Sequence, residues 1–286
     1  MKRVLLAGAT GYLGKYLLTE LYNQGYSTRA LVRNPAKLPL NEKLYSSVYK
    51  AEITKPETLR GCCEGIDIVI STIGITNQKD GLTYMDVDYQ GNANLLKEAK
   101  QSGVKKFMYV SVLNGEKLRH LKICEAKEKF VDELEASGIE YCIVRPNGFF
   151  SDMTEIFTMA QKGRVYLFGN GNLKANPIHG ADLAEVCVDA INCTDEVIEA
   201  GGPEILSQEE IALKAFVALE KKPKITYIPH WIRKSILIAL RTFSSSKTYG
   251  PVEFFMTVLS MDMIAPVYGK YKIGDFFKEF SKVNQY

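Results

Sequence analysis

Hydrophobic positions in the first half of the chain fall into short runs that alternate with stretches of helical spacing. Val4, Leu5, Leu6 and Ala7 form an apolar run, and Leu13, Leu17, Leu18 and Leu21 then recur at three- and four-residue intervals. That pattern predicts a buried strand followed by an amphipathic helix. Residues 27–32, 47–50, 67–71, 106–110 and 139–144 predict five more strands. Residues 83–102 and 121–136 predict helices, the second stopped by Ser137-Gly138. Such alternation implies an α/β fold, a doubly wound parallel sheet with helices on both faces. In such sheets ligands bind beyond the carboxyl ends of the strands, so those ends are where chemistry is expected.

After about residue 150 the pattern loosens. Residues 164–168 and 175–178 read as short strands around a Gly169-Asn170-Gly171 turn. Asp182 reads as the cap of a helix running to about Ile191, and Ser207 with Glu210 as a capping box. Pro229 precedes a helix with Ile232, Ile236, Leu237 and Leu240 at helical spacing, and 244–246 (Ser-Ser-Ser) reads as a break. The expected division is a nucleotide-binding domain over 1–150 and a smaller, mainly helical substrate-side portion over 151–286 packed on it.

Gly8, Gly11 and Gly14 stand between the first strand and the first helix. Gly8 suits the tight turn, Gly11 lets backbone approach a pyrophosphate, and Gly14 lets helix pack on strand. The unpaired N–H groups at the helix start face the phosphates. A glycine-rich turn without a ligand is the competing reading. The second strand ends at Arg33, where a site for NAD carries an acidic residue for the ribose 2′-hydroxyl. A guanidinium there favours a 2′-phosphate, so the expected cofactor is NADP(H). A solvated strand-end Arg is the alternative.

Bulk composition narrows the class. The chain has 286 residues and a net charge of +3. That near balance gives no case for nucleic acid, and Lys105-Lys106 and Lys221-Lys222 read as solvated pairs. The six cysteines make no C-x-x-C or zinc spacing, and no metal site is expected. Adjacent Cys62 and Cys63 are poorly placed to bond each other, while Cys142 and Cys187 suit buried thiols. No signal peptide is read before the first strand, and no run is long enough to span a membrane. A cytoplasmic location follows.

The chain resembles the short-chain dehydrogenase/reductase superfamily, and within it the atypical, NmrA-like or extended NAD(P)-binding members with a Rossmann-type sheet. The motifs are Gly-Ala-Thr-Gly-Tyr-Leu-Gly at 8–14, Leu-Val-Arg-Asn-Pro at 31–35, Gly-Ile-Asp-Ile-Val-Ile-Ser at 65–71, Tyr-Val-Ser at 109–111 and Ser-Gly-Ile-Glu-Tyr at 137–141. Val-Arg-Pro at 144–146, Pro-Ile-His-Gly-Ala-Asp-Leu-Ala at 177–184 and Gly-Gly-Pro-Glu at 201–204 continue them. The resemblance implies that Thr10, Gly11, Tyr12 and Leu13 lie along the pyrophosphate. It implies Arg33, with Lys37, at the 2′-phosphate, and Glu52 and Ile53 beside the adenine. Ser71, Thr72, Ile73 and Gly74 would line the ribose region. Ser111 would sit near the nicotinamide, with Pro146, Asn147 and Phe149 on its other side.

Members of that superfamily use Tyr-x-x-x-Lys, in which Tyr moves the proton and Lys, one turn later, holds the ribose and lowers the Tyr pKa. The family's spacing places the Lys at Lys127, and the residue four before it is Ile123. Lys127 keeps a cofactor role against the alternative of a solvated lysine. Tyr84, Tyr89 and His179 are the remaining proton-transfer candidates, and the loop carrying His179 approaches the substrate in this family. A histidine satisfied by local capping bonds is the alternative.

Three functions fit. The first is an NADPH-dependent reductase of a small carbonyl, enone or quinone-like substrate. The second is a non-catalytic NADP(H)-binding redox sensor or assembly factor. The third, a nucleotide-sugar epimerase or dehydratase, depends most on the missing Tyr. Residues 231–243 read either as a core-facing helix or as a peripheral contact with a membrane or partner.

Overall fold

The computed structural model describes residues 1–76, 81–244 and 246–283. A seven-stranded parallel sheet organises the chain, with strands in the order β3-β2-β1-β4-β5-β6-β9. The members are β1 (Arg3–Ala7), β2 (Ser27–Val32), β3 (Ser47–Lys50), β4 (Ile68–Ser71), β5 (Lys106–Val110), β6 (Glu140–Pro146) and β9 (Val197–Ala200). β1 pairs in parallel with β2 on one side and β4 on the other. The order therefore reverses at β1, and the crevice at that switch point is where such sheets bind ligands.

Two-residue alternation gives the sheet two apolar faces. On one face Leu5, Val69, Phe107, Tyr109 and Ile143 pack with Leu95, Leu96 and Ala99 of α2 (Asn92–Gln101) and Phe130, Val131 and Leu134 of α3 (Lys122–Glu135). The alternate residues Val4, Leu6, Ile68 and Ile70 are equally buried, and α1 (Tyr12–Asn23) buries Leu17, Leu18 and Leu21. The helix expected over 83–102 has an interruption. Met85–Gly91 form a π turn that runs into α2, so its residues are wound differently from a regular helix.

The chain forms two compact units. One comprises Met1–Arg145 with Leu183–Ile198, the other Pro146–Asp182 with Glu199–Tyr286. α5 (Gly180–Asp189) and β9 thus bring the chain back to the first unit. There Lys106, expected to be solvated, is buried. Its ammonium donates to the carbonyls of Ala190 and Cys193 and meets Glu140 at 3.1 Å.

The second unit has its own core. Phe150, Phe157, Val165, Phe216 and Phe277 cluster from α4 (Thr154–Gln161), α6 (Gln208–Ala218), α9 (Ile273–Val283) and the segments around them. The expected strand pair around Gly169–Gly171 does not form. β7 (Val165–Phe168) pairs in parallel with β11 (Ile225–Ile228), and β8 (Lys174–Ala175) pairs antiparallel with β10 (Leu206–Ser207). The capping box is present: Ser207 N–H donates to Glu210 and Glu210 N–H to the Ser207 hydroxyl, at 2.7 and 3.1 Å. Asp182 is not a helix cap. It lies inside the first turn of α5, where its buried carboxylate accepts the N–H groups of Lys270 and Tyr271. His179 takes the capping place, its Nδ1 accepting from Ala181 N–H at 3.2 Å.

α7 (His230–Phe243) starts after Pro229 as expected, but no residue of it is buried. The core-facing reading of 231–243 is therefore corrected. The serine break lies between α7 and α8 (Ser246–Val258), with Ser245 outside the described residues. No helix among the described residues is long and apolar enough to cross a membrane.

Candidate functional site

At the carboxyl end of β1 the chain turns through Gly8, whose φ of +91° is open to glycine. A Cβ there would collide with the Thr72 side chain. Gly11 precedes α1, whose first turn has no acidic residue and no side-chain cap. An uncapped helix start of this kind presents orphan N–H groups and the positive end of the helix dipole, a ready site for an anion.

A cavity of about 350 Å³ opens at this point, within the usual range for small-molecule sites. Gly8, Thr10 and Gly11 form one wall; Arg33, Glu52 and Ile53 another; Thr72, Ile73 and Gly74 a third. Nine of the residues proposed from the sequence thus meet around one space. A neighbouring cavity of about 400 Å³ shares Arg33 and Glu52 and adds Lys55, Asp86 and Gln90. Tyr12, Leu13 and Gly14 lie on α1 beside the glycine turn without lining either cavity, and Lys37 is exposed in the turn after β2. Leu31 and Val32 of the 31–35 motif, with Ala51, Thr54, Ile75, Leu82 and Val87, complete the first cavity, and none of these was expected to line it. They are ordinary apolar or small residues, and only their position beyond the strand ends brings them there.

Arg33 and Glu52 face the same space with different partners. Glu52 pairs with Lys55 at 3.1 Å and accepts from Thr54, and these contacts hold its carboxyl below the usual range. Arg33 is exposed, and among the described residues no carboxylate pairs with it. Its guanidinium is available to a ligand.

Ser71 is fully buried and already engaged. Its hydroxyl donates to Asn92 Oδ1 at 2.5 Å, and Asn92 in turn donates to the carbonyls of Ile73 and Asp88. This bridge fixes the strand end against α2. Ser111 is likewise engaged, donating to Glu128 Oε1 at 2.9 Å. Glu128 is fully buried and takes both arms of Arg145 at 2.7 and 2.8 Å. In the sequence Arg145 stands out only within the Val-Arg-Pro motif, and Glu128 is hidden among several charged residues on α3.

Lys127 meets a partner distant from it along the chain. Its ammonium lies 2.9 Å from Asp88 Oδ1, and Asp88 is fully buried in the π turn. The other carboxylate oxygen accepts from Ile75 N–H at 3.1 Å. Burial pulls the Lys127 ammonium down, but Asp88 and Tyr109 outweigh it, leaving it above the ordinary lysine range. Burial pushes the Asp88 carboxyl up, with Lys127 opposing. The pair lies directly behind Gly74: a Cβ on Gly74 would stand 2.6 Å from the ammonium and 2.7 Å from the carboxylate. Thus Gly74 joins the cavity wall to a fixed positive charge. Ile123, at the place of the expected Tyr, is buried and apolar.

The other proton-transfer candidates are committed locally. The Tyr84 hydroxyl donates to Thr76 O at 2.7 Å, and Tyr89 lies under the Lys129 ammonium at 4.2 Å. Pro146, Asn147, Phe149 and His179 belong to the second unit. Asn147 is buried and bonded to Asn176 and Met263 O, and Phe149 N–H donates to Asp152. His179 packs on Tyr271 and Phe150, with ring centres 4.4 and 5.5 Å away. Burial lowers its pKa, which keeps the ring neutral at pH 7.

The residues present fit a bound dinucleotide. The Gly8 turn, the uncapped α1 start and the exposed Arg33 supply a narrow backbone approach, an anion site and a second cation.

Comparison with known proteins agrees with this geometry. A family model described as NAD(P)H-binding matches residues 8–194. Divinyl chlorophyllide a 8-vinyl-reductase, chloroplastic, of Arabidopsis thaliana is 27% identical, over 96% of this chain and 75% of that protein. Photosystem II assembly factor Ycf39 of Synechocystis sp. is 25% identical, over 99% of this chain and 89% of that protein. Among solved structures, the NADPH-dependent quinone oxidoreductase QOR2 of Escherichia coli, complexed with NADPH, superposes with a TM-score of 0.70. It shares 17% identity and the match spans 97% of this chain and 99% of that one. The chain belongs to the NAD(P)H-binding family, and it fits the atypical, NmrA-like members of the short-chain dehydrogenase/reductases.

Proposed function

We propose that the protein is an NADPH-dependent oxidoreductase acting on a small carbonyl, enone or quinone-like substrate. The observation that carries the cofactor choice is Arg33. It lines both cavities beyond β2, where an NAD site needs a carboxylate, and Glu52, which lines both cavities with it, is paired with Lys55. A guanidinium forks onto a phosphate with two charge-assisted hydrogen bonds.

When bound, NADPH supplies the hydride. The chain's own residues bind and orient. Thr10, Gly11 and the start of α1 receive the pyrophosphate, with Tyr12, Leu13 and Gly14 carrying the N–H groups of that turn. Arg33 holds the 2′-phosphate, assisted by Lys37, and Glu52 and Ile53 border the adenine. Thr72, Ile73 and Gly74 line the ribose. Lys127 places a positive charge behind Gly74, and Asp88 keeps it protonated, so it attracts an oxygen rather than releasing a proton. Ser111 sits at the end of β5, tied to Glu128.

Ile123 cannot transfer a proton, so the proton comes from solvent or from another residue. Enones and quinones suit this, because charge created by hydride addition spreads away from the accepting carbon. One relative is named a vinyl-reductase and the fold neighbour a quinone oxidoreductase. Five buried cysteines suit a reducing compartment such as the cytoplasm.

Ile123 also favours a second reading, that the protein binds NADP(H) without turning over, as a redox sensor or assembly factor. The relatives named as assembly factors support it. Calorimetric titration with NADPH, NADP⁺, NADH and NAD⁺ separates the readings. Similar affinity for both phosphorylated forms, well above the others, supports the enzyme, and NADPH consumption with a quinone or enone panel then establishes it. A preference of more than about tenfold, roughly 1.4 kcal/mol, for one redox state supports the sensor. Equal affinity for NADH and NADPH would remove the Arg33 assignment.

A further inference from the structure

Charge along this chain is not evenly distributed. Residues 221–252 contain seven Lys or Arg and no Asp or Glu. The whole chain has a net charge of +3, so everything outside that segment sums to −4. The segment includes β11 and α7, and α7 is the helix with no buried residue.

The helix is amphipathic in an inverted sense. Ile232, Leu237 and Leu240 are half-buried, and Arg233 and Arg241 are tied to α8 through Met256 O and Glu253. The large apolar residues Trp231, Ile238 and Phe243 instead face solvent, at 67%, 64% and 87% exposure. Trp231 and Ile238 lie seven residues apart, two turns along one face, with Lys234 exposed between them. A helix that exposes a tryptophan and aliphatic side chains amid cationic ones has the make-up of one that lies in a membrane interface. Its length forbids a span.

We propose that α7 docks this protein on an anionic lipid bilayer. Trp231 and Ile238 enter the headgroup boundary, and Lys234 with the basic run at 221–224 meets the anionic headgroups. Charge complementarity singles out this occupant. The exposed Lys222, Lys224 and Lys234, which pair with no carboxylate among the described residues, suit a continuous negative surface, and the net negative remainder of the chain orients that segment toward it. The inference is independent of the nucleotide site.

The test uses the full-length protein with vesicles of phosphatidylcholine, alone or mixed about three to one with phosphatidylglycerol. Trp231 is the single tryptophan, so its emission reports on α7 directly. Flotation with the mixed vesicles, a blue shift of Trp231 and at least about tenfold weaker binding to the neutral vesicles are expected. High salt should release the protein. Ile238→Asp should lower vesicle affinity about tenfold while NADPH titration shows the first unit intact. Failure to bind the mixed vesicles overturns the proposal. So does binding with unchanged Trp231 emission, which would place the contact elsewhere, or wild-type binding by Ile238→Asp. A blue shift that grows with protein concentration in the absence of vesicles would assign the face to a second copy and also overturn it.

Discussion

Arg33 and Lys127 are both cations beside one cavity, and their surroundings give them different work. Arg33 is exposed and without a carboxylate among the described residues, so its charge is offered outward. Arg33→Ala should weaken NADPH by about tenfold to a hundredfold, the worth of charge-assisted hydrogen bonds, and leave NADH unchanged. Calorimetry with the two nucleotides measures this. Lys127 is tied to a buried acid, so its charge is fixed in place. Asp88→Asn keeps the shape but strands the ammonium. Loss of a buried pair's partner costs about 3–5 kcal/mol, read as a lowered urea midpoint. His179 sets a pH dependence. Its folded pKa lies below the ordinary value because burial disfavours the charged ring. The unfolded chain therefore binds the proton more readily, and the histidine's contribution is present above pH 6.5 and lost as pH falls through its folded pKa. Thermal stability should drop over that window, and His179→Phe should flatten the drop in a melting series.

At the scale of elements, the apolar runs of β1, β2, β4, β5 and β6 were legible because each strand is buried on both faces. The glycine turn was legible because only a strand before and a helix after give that spacing a meaning. What escaped was set by distant partners. Nothing local marks Met85–Gly91 as a π turn, and its consequence, Asp88 meeting Lys127, joins positions far apart in sequence. Asp182 looked like a cap because acid residues favour that place, yet Lys270 and Tyr271 claim it. Among the candidate site residues, those on strand ends gather around the cavity, whereas Ser71 and Ser111 turn their hydroxyls to buried partners that spacing alone does not reveal. Local capping signals were dependable where both members are adjacent. Ser207→Ala should cost about 1 kcal/mol. The loss should appear as faster amide hydrogen exchange at the start of α6, and unchanged exchange there would show that the helix is held by its packing alone.

At the scale of the molecule, the nucleotide site belongs to the first unit. Saturating NADPH, at about a hundred times its dissociation constant, should stabilise that unit by about 2.7 kcal/mol. Hydrogen exchange should then slow around Gly8–Leu13 and the ends of β2 and β4, where ligand contacts are proposed. Protection absent from those segments would contradict the proposed binding mode.

The return of the chain at Leu183–Ile198 bears on how this protein is made. Until the ribosome has released residue 200, the sheet of the first unit is short of its last strand. Ile143 N–H, which donates to Glu196 O at 2.7 Å, has no acceptor, and buried Lys106 lacks the carbonyls of Ala190 and Cys193. β6 is then an open edge, a template on which another nascent chain can add. The unit therefore completes itself only after part of the second has been synthesised. A fragment cut after Arg145 should be prone to aggregation, however complete its glycine turn and its Arg33 are.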